Sequence, residues 1–422
     1  MGGLLEKISE ELQIDKSQWI PTKFGDVAIQ QKGKVDRDNT DLTRYVQGGH
    51  MNSEDLHLRS WGELEDEYLG PAFIRRFDEG DILYGSRRTY LRKVVIAPFS
   101  GITSNTTFVI RANEKNIDKR LLPFIMMSEG FTENSVRNSK GSVNPYINWK
   151  DIAKYEFLLP PKDQQAQLAK LLWAMDDLIE KEISIKNKLK VTLNAFIRKI
   201  FTNEIISNSD KETVKCKSLF QTKWEERSFP VNWKPMKLKE ALESTQNGFA
   251  EGKRDENGTA QLRMNNVTSD GRIDLEKVAM IPLRNNIERY LIFDDDVLFC
   301  NTNSEDLVGK CILATSEIKD FSFSNHFTRL RGRQELITQK FLYLWLKFHF
   351  DIGLFEQLCT KWIGQAAVQT ESLVRLQIVI PPINEQEHAG NYCQKIEDNI
   401  DVLTVKIDNS KSLQKSLINQ IF

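Results

Sequence analysis

The sequence predicts an α+β fold. Two globular units, each a twisted β-sheet with helices, are separated by two long helices that pair antiparallel as a coiled coil, and a pseudo-two-fold internal repeat relates the halves. Three observations lead there. A proline pair followed by an amphipathic helix occurs twice. The two helices carry matching heptad seams. The segments ahead of them contain matching runs of β-forming residues.

The proline junction anchors the repeat. "LPPKDQQAQLAKLL" spans 159–172 and "IPPINEQEHAGNYC" spans 380–393. Pro160 and Pro381 are 221 positions apart (381 − 160), as are Gln165 and Gln386, and "FIRKIF" and "LINQIF" close the two helical segments at the same offset. A fixed internal period means one structural plan used again. Upstream, "KDIAKYEFLLPP" (150–161) aligns with "ESLVRLQIVIPP" (371–382), "EGDILYGS" (79–86) with "DDDVLFCN" (294–301), and "KVVIAP" (93–98) with "KCILAT" (310–315). "TSNTTFVIR" (103–111) likewise aligns with "FSNHFTRLR" (323–331), and "WIPTKFGDVA" (19–28) with "WKPMKLKEAL" (233–242).

In the second helical segment, positions 389, 393, 396, 400, 403, 407, 410, 414, 417 and 421 step by four and three residues, and eight of the ten are apolar. The equivalent positions 168 to 200 of the first are also apolar in eight of ten cases, the exceptions being Glu182 and Lys186. This is a heptad seam. Proline at the start suits a first helical turn, where its missing N–H costs nothing. Such a stripe must be buried, either on the helix's own globular unit or on the other helix. The antiparallel pair is the expectation, since similar modules associate about a two-fold axis and would then set two heads at a fixed separation.

The expected boundaries are an N-terminal helical segment over 1–16, a first unit over 17–161, a spacer helix over 162–206, a linker over 207–229, a second unit over 230–382 and a second spacer helix over 383–422. In each unit, short β-branched and aromatic runs are bounded by Gly, Asn, Asp and Ser, as strands and turns are. A helical stretch follows late in each, "LLPFIMMSEGF" and "FLYLWLKFHFDIGLFEQL".

Composition narrows the function classes. A chain of 422 residues exceeds one ordinary core and suits two or three domains. No apolar run reaches the roughly 18 residues a membrane span needs. The opening "MGGLLEKISEEL" lacks the basic-then-apolar order of a signal peptide, so a cytoplasmic location is expected. The five cysteines form no CxxC pair and the five histidines are scattered, which argues for free thiols and no metal centre. A net charge of −1 runs against the basic excess common in nucleic-acid binders.

Chemistry-bearing residues concentrate in inter-strand segments. In the first unit, "GSRRTYLRK" supplies Ser86, Arg87, Arg88, Tyr90, Arg92 and Lys93; Arg pairs bidentately with guanine edges or phosphates and Tyr stacks or hydrogen-bonds. "YVQGGHM" adds Tyr45, Gln47, Gly48, Gly49 and His50, with glycines that admit close backbone approach. Asn105, Lys140 and Ser142 complete this set. The second unit is amide-rich, with Asn247, Arg263, Asn265, Asn266, Asn301, Asn303, Ser304, Lys310, Asn325, His326, Lys361 and Gln365, and amides read adenine through a paired donor and acceptor. The competing reading is that these are ordinary solvated turns. Catalysis finds little support. "NPYI" (144–147) lacks the second proline of the Asn-Pro-Pro-aromatic motif of amino-methyltransferases, and no GxxxxGK[ST] loop is present.

These residues together resemble the specificity subunit of type I restriction–modification systems. "EFLLPPKDQQAQLAKLLWAMDDLIE" (156–180) and "QIVIPPINEQEHAGNYCQKIEDNID" (377–401) carry the likeness, with Asp176 or Asp177 and Asp398 or Asp401 at the family's acidic position. The second repeat departs where "EHAGNYC" is more polar and where "QAAVQTESL" lacks the Pro-x-Ile of "NPYIN". The resemblance implies a non-catalytic DNA-binding subunit whose two target-recognition domains read a bipartite, asymmetric double-stranded target. It implies two methyltransferase subunits bound along the helices, through Gln165, Leu168, Leu172, Asp176, Gln386, Ile396 and Ile400, and translocase–endonuclease subunits added to that core. S-adenosylmethionine and ATP with Mg would be bound by those partners and no cofactor by this chain. Gln165 and Gln386 have two readings, a partner contact or a bond to backbone groups at the helix start. A coiled-coil protein scaffold without DNA reading, and a specificity subunit of a methylation-only or phage-defence complex, are the alternatives.

Overall fold

The computed structural model describes residues 14–36, 39–66, 68–202 and 211–422. The expected N-terminal helix over 1–16 therefore lies almost wholly outside the described residues, as do the end of the first spacer helix and the start of the linker. The chain divides into two compact units: one runs to Ile185 and includes Leu403–Phe422, the other is Lys186–Val402.

The first unit contains β1 (Ile20–Lys23), β2 (Ala28–Gln31), β3 (Arg44–Val46), β4 (Gly62–Glu63), β5 (Phe73–Phe77), β6 (Ile82–Gly85), β7 (Val94–Ile96), β8 (Gly101–Ser104), β9 (Thr107–Ala112) and β10 (Glu156–Leu159). They form sheets of order β2-β9-β6-β7 and β4-β3-β8-β5, plus the antiparallel pair β1-β10. The "ILYG" of β6 reads as a continuous apolar run because both faces are covered. Ile82 and Tyr84 enter one core cluster and Leu83 another, the period-two alternation of a buried strand. Phe24, Phe124 and Phe131 fill the larger cluster at 1% exposure or less, each burial contributing roughly 2–3 kcal/mol. The β1-β10 pair, Ile20↔Leu159 to Lys23↔Glu156, joins the start of the unit to the strand that precedes the first long helix.

That helix is Lys162–Thr202. Pro160 and Pro161 stand just before it, and Gln165 N donates to Pro161 O at 2.9 Å. Within the first unit its Ala169 and Leu172 share the main core with Leu417, Ile418 and Ile421 of the second long helix, Ile383–Ile421. Gln414 Nε2 donates to Leu172 O at 3.4 Å, while Lys406 Nζ lies 2.8 Å from Glu182 Oε1. Numbers that rise on one segment fall on the other, so the two run antiparallel here. The polar breaks in the two seams meet: Ser410 Oγ donates to Glu182 Oε2 at 3.4 Å. Within this unit the stripe lies against the globular core and against the other helix at once.

The second unit contains β11 (Lys211–Lys217), β12 (Trp224–Pro230), β13 (Lys234–Lys237), β14 (Leu242–Asn247), β15 (Thr259–Leu262), β16 (Ala279–Ile281), β17 (Val297–Cys300), β18 (Thr302–Asn303), β19 (Cys311–Leu313), β20 (Ser322–Phe323), β21 (Phe327–Gly332), β22 (Thr360–Trp362), β23 (Gln365–Ala367) and β24 (Gln377–Ile380). The sheets are β14-β21-β17-β19, β16-β15-β20 and β18-β23-β22, with the pairs β13-β24 and β11-β12. β17 repeats the two-faced burial of β6, with Val297 and Phe299 in one cluster and Leu298 and Cys300 in another. Helix Gln339–Asp351 packs its aromatic residues into the main core beside Leu193 and Ile197 of the first long helix and Cys393 and Ile396 of the second.

Residues 211–230, read from the sequence largely as linker, form an antiparallel β-hairpin from Lys211↔Pro230 to Lys217↔Trp224. Its charged residues alternate with the inward Cys216 and Phe229, which are 1% and 2% exposed. Arg227 Nη2 donates to Phe201 O at 2.8 Å, a cation on the C-terminal carbonyls of the first long helix. The cysteines are free, and among the described residues no cluster of His, Cys, Asp or Glu could hold a metal ion and no helix is long and apolar enough to cross a membrane.

Candidate nucleic-acid interface

In the first unit, hydrogen bonds tie four inter-strand segments into one polar face. Arg88 N donates to Pro145 O at 2.7 Å and Arg88 Nε to Asn144 Oδ1 at 2.9 Å, joining the segment after β6 to the turn at 140–146. Ile147 N donates to Ser86 O at 2.9 Å, and Ser86 N to Thr106 O at 3.0 Å, which brings in the β8–β9 turn. Lys93 Nζ donates to Gly48 O, which brings in the turn after β3. Arg88 and Arg92 flank a short 3-10 turn with φ of 50° and 48°. Left-handed backbone at a residue bearing a side chain costs of order 1–3 kcal/mol and concentrates at functional loops.

Arg87, Arg88, Tyr90, Asn105, Lys140, Ser142, Gly48 and Gly49 are exposed on these segments, with Gln47 and His50 partly so. No partner for the Arg87 guanidinium is found among the described residues. A Cβ built on Gly48 or Gly49 would meet nothing within 4 Å, and neither has positive φ, so the fold itself does not require glycine there.

Several sequence-based candidates are corrected. Tyr45 is 3% exposed, with its ring edge-on to Phe73 at 5.6 Å, so it is core and not a reading side chain. Ser86 is 5% exposed and its hydroxyl donates to Thr106 O at 2.6 Å. The Arg92 guanidinium is consumed by Glu54 at 2.9 Å and Glu129 at 3.2 Å.

The face of the second unit is built on amides and hydroxyls. Asn247 Oδ1 accepts from Thr328 Oγ1 at 2.7 Å and Thr370 Oγ1 at 3.1 Å, and Asn301 Nδ2 donates to Thr328 Oγ1 at 3.0 Å and Asn325 O at 3.3 Å. Val368 N donates to Asn301 O, linking the β22–β23 hairpin. Asn247, Asn265, Asn325, Lys361 and Gln365 are exposed, Asn301, Ser304 and His326 partly so. Lys361 pairs with Glu305, and burial next to Arg263 holds the His326 imidazole below its ordinary pKa.

Four candidates here are structural instead. Asn266, 2% exposed, donates to Asp274 O and Lys277 O and accepts from Arg263 N. Asn303 is 9% exposed, and its Oδ1 accepts from Ser304 N at 2.8 Å. Lys310 is 4% exposed and spends its ammonium on backbone carbonyls. The Arg263 guanidinium donates to Glu251 O at 2.7 Å and to Gln261 Oε1.

The residues expected to bind partners are likewise engaged within the chain. Gln165 Oε1 accepts from Asp118 N at 2.7 Å and Nε2 donates to Pro160 O at 2.8 Å. Gln386 Oε1 accepts from Thr338 N at 2.8 Å and Nε2 donates to Pro381 O and Leu336 O, both at 2.8 Å. Within this chain both glutamine amides bond backbone groups. Asp176, 7% exposed, receives His57 Nε2 at 2.7 Å. Leu172, Ile396 and Ile400 are buried in cores, and Leu168 is half-buried against one.

Sequence reading passed over exposed apolar tips beside both faces. Val143 is 82% exposed beside the left-handed Gly141; Trp362 and Ile363 are 57% and 106% exposed beside the left-handed Gly364. An apolar residue next to a turn glycine was the available signal.

The family model described as "Type I restriction modification DNA specificity domain" matches residues 14–191 and again 230–410. The chain belongs to this family and is a type I restriction–modification specificity subunit. The type I restriction enzyme MjaVIII specificity subunit of Methanocaldococcus jannaschii is 25% identical over 407 residues, 90% of this chain and 89% of its own length. The type I restriction enzyme EcoDI specificity subunit of Escherichia coli is 28% identical over 190 residues, 42% of this chain and 39% of its own. In fold the chain is similar to the type I restriction–modification system S subunit from M. genitalium, with a TM-score of 0.57 and 12% identity over 98% of each chain.

Proposed function

We propose that the chain reads a bipartite, asymmetric double-stranded DNA target, one half-site per unit, and assembles methyltransferase subunits around itself. The observation that carries this is the twofold match of the DNA specificity domain on a chain whose two units each gather their inter-strand segments into one polar face. The faces differ in chemistry, arginine and lysine on one and amides on the other, which suits unlike half-sites. Glycines that the fold does not need at 48 and 49 suit close approach by an external backbone or base edge. On this reading an internal repeat with a coiled coil of two long helices sets the spacer, and a one-base-pair change corresponds to about 3.4 Å and a rotation of about 34° on B-DNA. The partners are two methyltransferase subunits, with translocase–endonuclease subunits adding to them. They, rather than this non-catalytic chain, bind S-adenosylmethionine and ATP with Mg, in the cytoplasm. Phosphate contacts from the partners would offset the chain's net charge of −1.

The test is long-read methylation sequencing of DNA from cells that co-express this chain with its methyltransferase subunit. The expected result is a two-part motif with a fixed gap and one methylated adenine per strand. Exchanging residues 17–161 for those of a relative should change only one part. Methylation that is unchanged when this chain is deleted would sink the reading.

A further inference from the structure

We propose that Lys93 and Lys310 are positioning residues, each ammonium holding down the turn that follows β3 or β15 and so setting the base preference of its own half-site. This rests on the two-face reading above and adds what fixes each face.

Each lysine immediately precedes the outer strand of a four-stranded sheet, Lys93 before β7 and Lys310 before β19. Each turn follows a strand that pairs in parallel with a neighbour: β3 with β8, through Tyr45↔Ile102, and β15 with β20, through Gln261↔Ser322. In the first unit Lys93 Nζ donates to Gly48 O at 2.5 Å. In the second Lys310 Nζ donates to Met264 O at 2.7 Å and to Val267 O. The turns themselves are unlike, "QGGH" at 47–50 and "RMNN" at 263–266. The same device therefore occurs in the same topological place in both units.

An ammonium offers three donors and no acceptor, and a carbonyl accepts whatever side chain its residue carries. The clamp fixes the path of the main chain and leaves the side chains of the turn free to differ. That is what a recognition turn requires. Burying an ammonium is costly, and at 4% exposure Lys310 is deeply buried, its pKa pushed down by that burial. Its partners are backbone carbonyls rather than a carboxylate. An apolar side chain of similar length would fill the space without the desolvation, so what the ammonium adds is the position of the turn. In the second unit the Asn266 side chain ties the same turn to the segment after it, through Asp274 O and Lys277 O. Exposed Asn265 is thus presented from a turn held by both Lys310 and Asn266.

The experiment uses the full chain with Lys93→Met, with Lys310→Met and with Lys93→Arg, each co-expressed with the methyltransferase subunit and read by methylation sequencing. Hydrogen exchange on the purified chains runs in parallel. For Lys310→Met, amides over 263–268 should exchange about tenfold faster with the rest of the chain unchanged. Methylated sites should then admit additional bases in one half of the motif only, with the gap and the other half kept. Lys93→Met should relax the opposite half, and Lys93→Arg, which still donates to a carbonyl, should restore it. Unchanged motifs despite faster exchange would overturn the proposal. So would a uniform fall in methylation at an unaltered motif, the result of a merely structural role. A wild-type chain that directs no two-part motif would overturn the two-face reading and this proposal with it, and the wild-type control separates that outcome from the others.

Discussion

His57 Nε2 lies 2.7 Å from Asp176 Oδ2, joining a loop of the first unit to the first long helix across 119 positions of sequence. Arg59 reaches the same helix face, with Nη2 2.5 Å from Glu180 Oε1, and Asp55 braces Arg59 at 2.9 Å. The loop and the helix are thereby one piece.

The hydrogen bond to Asp176 raises the His57 pKa above its ordinary 6.5, helped by the charges of Asp176 and Glu180 and opposed by burial and Arg59. A raised folded-state pKa means that the charged imidazole stabilises fully below the unfolded value, and that this contribution disappears as pH rises through the folded value. Wild-type chain should therefore lose about 0.5 kcal/mol between about pH 6 and pH 9 that a His57→Gln variant does not lose, the scale of a partly solvated pair. Thermal melts of both across that range measure it; parallel curves would refute it.

Gln165 and Gln386, at the starts of the two long helices, each satisfy a half-buried backbone N–H and a buried proline carbonyl, and both are 1% exposed or less. Removing either amide strands at least one N–H and one buried C=O. Gln165→Leu and Gln386→Leu should each cost about 2–4 kcal/mol in urea unfolding. Variants within about 0.5 kcal/mol of wild type would contradict this bonding.

Two arginines of one loop should behave in opposite ways. Arg87 is exposed and its guanidinium has no partner among the described residues, so Arg87→Ala should weaken DNA binding and lower the salt slope by about 1, with stability changed by less than about 0.5 kcal/mol. Arg92, paired with Glu54 and Glu129, should lose about 1 kcal/mol of stability as Arg92→Ala. Salt-dependent binding by the assembled complex and melting of the chain separate the two. Equal behaviour in both assays would refute the division.

Gly309 stands directly before Lys310 with φ of 91°, and a Cβ built there would sit 2.4 Å from Phe355 Cδ2. Gly309→Ala combines a left-handed backbone with a clash against a fully buried ring. It should destabilise by at least about 2 kcal/mol by denaturant titration.

Much of the plan was legible from one sequence. The proline junctions announced both long helices because proline permits a helix start and forbids its own position further in. The strands "ILYG" and "VLFC" announced themselves because short apolar runs between turn residues are what a strand buried on both faces looks like. The hairpin at 211–230 was missed because its polar positions outnumber its inward ones. Alternation with only Cys216 and Phe229 deeply buried reads as a solvated connector.

The candidate face was legible by segment and not by residue. Composition marks a segment as polar and turn-forming, yet exposure is settled by neighbours far away in the chain. Tyr45 turns inward because Gly62, without a side chain, leaves room for its ring. Lys310 points at Met264 O because β19 and the turn after β15 come together only in the folded sheets. By itself the sequence determined both long helices and the buried strand runs, since these rest on local propensity and spacing, and its motifs carried the resemblance to the family. Only the tertiary structure decided which polar side chains remain free, because a hydrogen bond between residues 46 or 119 positions apart leaves no mark on either segment.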